Sequence, residues 1–153
     1  RAIQRFGFAQ APSSSHFFVG WCNTTGQFAS LHPPSSLTNG IVVGYVGSGL
    51  GSNLSIWRND SGGNAVQLDL GSYFTVQTQA WYEFEIDNRA WSAGSKQVYY
   101  SVRRLDISSI PSASSYFTAD IPDNSLWLSP HLHGCTLVTS AAAFENGGTV
   151  WES

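Results

Sequence analysis

The stretch from Ser36 to Leu70, SLTNGIVVGYVGSGLGSNLSIWRNDSGGNAVQLDL, constrains the fold more than any other part of the chain. Short runs rich in Val, Ile, Tyr and Trp stand between clusters of Gly, Ser, Asn and Asp. This is the strand-and-turn pattern of an antiparallel sheet. Three strands are predicted here, Ile41–Val46, Asn53–Arg58 and Ala65–Leu70. Upstream, His16–Cys22 (HFFVGWC) reads as a strongly apolar strand, followed by a turn at Asn23–Gly26 and an irregular connection, Gln27–Asn39, with the pair Pro33-Pro34. Downstream, Gly71–Gln79 leads to Trp81–Asp87. The loop Asn88–Ser95 then joins that strand to Gln97–Leu105, a short Gly-containing connection that suggests an antiparallel pair. A Ser/Pro/Ala-rich connection, Asp106–Ser115, precedes Tyr116–Ala119 and a turn at Pro122–Ser125. The last strands are expected at Leu126–Ser129, Cys135–Ala143 and Thr149–Glu152.

No window shows a 3.6-residue apolar period. Nine to twelve strands without helices make an all-β, two-sheet antiparallel β-sandwich, and the strand spacing suits a jelly roll better than an up-and-down barrel. The 153 residues are enough for one domain with a full core. Residues 1–15 read as a linker or the end of a preceding segment, with Pro12–Ser15 leading into a sandwich over 16–153. The sequence has no methionine, so it is expected to be a processed product or a piece of a longer polypeptide.

Charged residues make up only 11% of the chain against about 25% in an average soluble domain. A surface of Ser, Thr, Asn, Gln and Gly is common in sandwiches, extracellular modules and virion proteins. With Lys96 as the one lysine and a net charge of −3, the six arginines spread along the chain form no basic patch in sequence, and no nucleic-acid partner is expected. No apolar run approaches the ~20 residues that span a bilayer, so membrane insertion is not expected either. Cys22 and Cys135 are read as two buried free thiols; as a disulfide they would close a long loop.

The Trp81–Asp87 strand alternates cleanly, with Tyr82, Phe84 and Ile86 on one face and Trp81, Glu83, Glu85 and Asp87 on the other. Carboxylates at i and i+2 sit about 6.5–7 Å apart at their Cα atoms, within the range where a pair of acids can hydrolyse a glycoside. The plainer reading is a wet strand face, with Arg103 and Arg104 on the next strand making cross-strand ion pairs. His131 and His133 flank Leu132 and share a side if the segment is extended. A metal needs a third or fourth ligand and sequence places none, so loop or rim histidines are expected and no metal site. His16 and His32 are remote in sequence. The run Gly44–Gly51 resembles a phosphate-cradling loop, but a strand follows it instead of a helix N-terminus, and it is read as a hairpin connection. Trp21 and Trp57 are expected in the core. Trp91, in a loop beside Asn88 and Arg89, and Trp127 are candidate platforms for sugar rings. No G-x-S-x-G nucleophile motif is present.

The order of elements resembles the concanavalin-like, laminin-G-like sandwich of bacteriophage tail-fibre and other virion appendage proteins. The resemblance runs from about Phe17 to Trp151. It rests on F-V-G-W (Phe18–Trp21), L-T-N-G-I-V-V-G (Leu37–Gly44), N-L-S-I-W-R-N-D-S-G-G (Asn53–Gly63) and V-x-L-D-L-G (Val66–Gly71). It continues through W-Y-E-F-E-I (Trp81–Ile86), V-Y-Y-S-V-R-R-L (Val98–Leu105), I-P-D-N-S-L-W-L-S-P (Ile121–Pro130) and a last strand ending in Trp151-Glu152. The Ca²⁺-binding Asp/Asn run of lectin relatives is missing, so no cofactor is expected. The resemblance implies a non-enzymatic virion fibre domain that binds host-surface polysaccharide through Trp91, Asn88, Arg89 and Trp127, or a structural knob. Such domains form homotrimers, in which weak sugar contacts gain through multivalency. Virion placement is expected, and otherwise an extracellular one. Laminarinase-type hydrolases share the sandwich and carry an E-x-D-x-E motif. Here the order is E-x-E-x-D, and Glu83 and Glu85 are the alternative catalytic pair. A laminin-G-like module that binds protein is the third alternative.

Overall fold

A computed structural model describes residues 1–9, 15–23, 36–47, 51–89, 96–110, 112–122, 128–136 and 144–151. Among these, the strands are β1 (Ala2–Phe8), β2 (Ser15–Cys22), β3 (Gly40–Gly47), β4 (Ser55–Asn59), β5 (Val66–Asp69), β6 (Trp81–Asp87), β7 (Val98–Arg104), β8 (Ala113–Phe117), β9 (Ser129–Thr136) and β10 (Phe144–Trp151), with a 3-10 turn at Ser72–Phe74. They form two five-stranded antiparallel sheets, β10-β1-β6-β7-β8 and β5-β4-β3-β2-β9. The protein is an all-β, two-sheet antiparallel sandwich compatible with a jelly roll, as its turn-punctuated apolar runs predict. No helix among the described residues is long and apolar enough to cross a membrane.

The core between the sheets is largely aromatic. Phe6 and Phe8 from β1 meet Phe17 from β2 with ring centroids 5.6 and 5.1 Å apart, Phe8 meets Tyr45 at 5.7 Å, and Trp21 meets Phe84 at 5.3 Å. Each pair crosses from one sheet to the other. Such contacts contribute about 0.5–1.5 kcal/mol beyond the area they bury, so these rings fix the alignment of the two layers. β2 is buried along its whole length, because Phe17, Val19 and Trp21 enter this core while Phe18 and Cys22 enter a second cluster with Leu37, Val42 and Trp57. A strand covered on both faces reads as a continuous apolar run, and HFFVGWC does so. Trp21 and Trp57 are core residues, as expected.

Four expectations need correction. The segment 1–15 is not a linker throughout: Ala2–Phe8 is a strand inside a sheet, paired on both sides, with Ala2, Phe6 and Phe8 in the core. The inward Gln4, which breaks the apolar alternation, hid it. Residues 10–14 lie outside the described part. The connection at Asp106–Ser115 already contains the start of β8, an edge strand whose serines face outward or lie at the rim. The run Gly44–Gly51 is strand as far as Gly47, and Gly44 lies so close to β2 that a Cβ there would stand 1.9 Å from the Phe17 carbonyl oxygen. Toward the C-terminus the described strands Ser129–Thr136 and Phe144–Trp151 begin earlier than the expected Cys135–Ala143 and Thr149–Glu152, while the rest of the expected Leu126–Ser129 and Cys135–Ala143 falls in 123–127 and 137–143, outside the described part.

The β2–β9 register settles the cysteine question. Cys22 pairs with Ser129 and His16 with Cys135, so the two cysteines sit six residue steps apart along adjacent strands. That is roughly 20 Å, far beyond the ~7 Å between Cα atoms that a disulfide tolerates. Cys22 is buried and forms no disulfide.

Candidate functional site

The outward face of the β10-β1-β6-β7-β8 sheet is built around β6. Tyr82 and Phe84 turn into the core with Ile86 packed against it, so strand alternation delivers Trp81, Glu83, Glu85 and Asp87 to the other side. Cross-strand register then assembles rows on this face. Gly7 lies beside Trp81, whose indole covers it closely enough that a Cβ at Gly7 would be 3.0 Å from the ring. The next row is Arg5–Glu83–Arg103, the next Ile3–Glu85–Ser101, and the last Asp87–Tyr99–Tyr116.

The carboxylates are sunk and the arginines stand over them. Glu83, its side chain 5% exposed, receives Arg5 Nε on Oε2 at 2.8 Å and Arg103 Nε on Oε1 at 2.7 Å. Glu85 is held by Arg1 through Nε at 2.7 Å and Nη2 at 3.1 Å. Asp87 accepts the Arg89 backbone N–H at 2.9 Å and the Arg89 guanidinium on both oxygens. The Arg89 hydrogen bonds are the main reason its carboxyl sits below the ordinary aspartate value. Arg103 therefore pairs as expected, but Arg104 does not share that face. It stands opposite Tyr82, is buried, and bonds Asp106 and Gln77 on the inner side.

Beside the last row an open groove of about 310 Å³ is lined by Glu85, Asp87, Arg89, Tyr99 and Tyr116. The two tyrosine rings meet edge-on with centroids 5.5 Å apart, and Tyr116 is 54% exposed. An apolar ring platform with carboxylate and guanidinium groups at its border can stack the C–H face of a sugar while fixing its hydroxyls.

Of the residues expected to bind carbohydrate, Arg89 lines this groove and the exposed Asn88 is its chain neighbour. Trp91 and Trp127 lie outside the described residues. Glu83 and Glu85 do stand on one face, yet both oxygens of each already accept guanidinium hydrogen bonds. A general acid or nucleophile needs a free oxygen at the scissile bond. Sequence reasoning missed Arg1, Arg5, Tyr99 and Tyr116. The outward placement of Tyr99 follows from its neighbours Val98 and Tyr100, whereas its meeting with Tyr116 depends on the β7–β8 register. His131 and His133 occupy strand positions opposite Gly20 and Phe18. Among the described residues no three His, Cys, Asp or Glu gather to hold a metal ion.

Comparison of the chain with protein-family models, with curated proteins and with solved structures gives no match.

Proposed function

We propose that this sandwich is a non-catalytic carbohydrate-binding domain whose sugar rests in the groove over Tyr99 and Tyr116. The observation that carries the reading is the exposed tyrosine pair bordered by Asp87, Arg89 and Glu85 on an open sheet face. Asn88 and Arg89 serve as hydroxyl-binding groups beside it. The low charge of the chain and the resemblance of its strand motifs to virion appendage sandwiches support placement on a fibre, with host-surface polysaccharide as the ligand. Assembly as a trimer would multiply weak contacts into firm attachment.

The test is binding of the purified chain to a panel of bacterial surface polysaccharides by isothermal titration calorimetry. Tyr116→Ala is expected to remove about 1 kcal/mol of stacking, roughly a fivefold loss per site. Absence of binding across the panel would sink the reading. The hydrolase alternative makes the opposite prediction: reducing ends released by the wild-type chain and abolished in Glu85→Gln.

A further inference from the structure

Arg5, Glu83 and Arg103 stand directly opposite one another on three adjacent strands, β1, β6 and β7. Burying a carboxylate requires a compensating charge, and one guanidinium supplies it. This row has two. Its formal charge is +1, on a chain whose net charge is −3. The exposure is equally uneven, since Glu83 is 5% exposed while Arg5 and Arg103 are 52% and 51% exposed. Solvent therefore meets two guanidiniums with the acid beneath them. Among the described residues Arg5 engages Glu83 through Nε alone, and Arg103 binds the other carboxylate oxygen. A guanidinium carries five N–H donors in a rigid fork, so both retain donors for a second acceptor. Pinning from below also removes the side-chain entropy that a free surface arginine loses on binding. Four of the seven Lys and Arg residues, Arg1, Arg5, Arg89 and Arg103, collect in the ion pairs of this one face.

We infer that Arg5 and Arg103, positioned by Glu83, form an acid-group subsite, so that the ligand of this face is an anionic polysaccharide. This rests on the carbohydrate reading above and adds its chemical class. Glu83 and Asp87 are four residues apart on β6, about 13 Å. An oligosaccharide segment with one ring over Tyr99 and Tyr116 spans that distance to bring a carboxylate, sulfate or phosphate onto the guanidiniums. Among the described residues, Asp106 nearby is held by Arg104, and Glu145 takes the register position opposite Gly7 on β10, beyond Arg5 and three strands from Arg103.

Three probes test this with the full chain: polygalacturonate, dextran sulfate and uncharged dextran, each titrated calorimetrically over a sodium chloride series. At least one polyanion is expected to bind ten times more tightly than dextran or better, with affinity falling as salt rises. Which of the two binds better identifies the acid group. Arg103→Gln, which leaves the Arg5–Glu83 pair in place, is expected to narrow the preference for polyanion over dextran at least fivefold, with Tyr116→Ala weakening every bound probe. Dextran bound as tightly as the polyanions, with a ratio untouched by Arg103→Gln, would overturn the acid subsite and leave the carbohydrate reading standing. Binding of none of the three would remove the acid subsite and count against the carbohydrate reading too. An equally tight complex with a single-stranded oligonucleotide, indifferent to Tyr116→Ala, would mean unspecific attraction of polyanions and would also overturn it.

Discussion

Because Glu83 is shared by two arginines, their removal must be strongly non-additive. In Arg103→Gln the carboxylate keeps Arg5, and in Arg5→Gln it keeps Arg103, so each single change breaks a half-exposed pair worth about 0.5–1 kcal/mol. The double variant leaves a carboxylate that is 5% exposed with neither guanidinium. An unpaired charge at such a site costs about 3–5 kcal/mol, so the double loss should exceed the sum of the singles by about 2–3 kcal/mol. Equilibrium unfolding in urea on the four proteins of the cycle measures this, provided the denaturant slope stays constant. Adding Glu83→Gln to the double variant removes the buried charge and should restore much of the lost stability. Additivity within about 0.5 kcal/mol, or no recovery in the triple variant, would refute the argument that the acid is held by the two arginines together.

Acid and alkaline titrations should report different residues. The Asp87 carboxyl is depressed below 3.8, so its contribution is full above that value and is lost as pH falls through the lower folded value. Tyr82 behaves oppositely: burial pushes its phenol up to about 12, with Arg104 opposing, so its contribution is full below 10 and is lost as pH rises through about 12. In thermal melts against pH, Asp87→Asn should flatten the acid limb and Tyr82→Phe the alkaline one; an unchanged limb in either variant contradicts the assignment. Gly44→Ala would force a methyl against the Phe17 carbonyl and should cost about 3 kcal/mol or more, read as a fall in the urea midpoint; a neutral substitution would mean that β2 and β3 are not so close. Thiol titration of the native chain should find Cys22 protected until the protein unfolds, and mass spectrometry without reductant should show no Cys22–Cys135 cross-link.

The sheet face was legible in sequence where a single strand determines it. Trp81–Asp87 alternates without exception, so its inward aromatics and outward acids could be read directly. β1 was not legible, because Gln4 occupies an inward position and Arg5 pairs with an acid 78 residues away. Only the end of β8, Tyr116 and Phe117, fell within an expected element, for a related reason, since its first residues Ala113–Ser115 lack the β-branched signature of a strand. The groove joins β6, β7 and β8, and nothing local links Tyr99 to Tyr116. Within one strand the period of the pleat can be read by eye, but register between strands is set by packing.

The first and last strands are neighbours, with Ala2 opposite Trp151 and Phe8 opposite Phe144. Both ends of the chain therefore leave from the same end of the β1–β10 ladder. A pulling force applied through those ends would load its hydrogen bonds one after another, as a zipper opens, instead of shearing them all at once. The sandwich should yield to low tension along that axis. A load entering through the groove and the core behind it meets the cross-sheet aromatic contacts instead, so mechanical strength in this fold depends on where the load is attached.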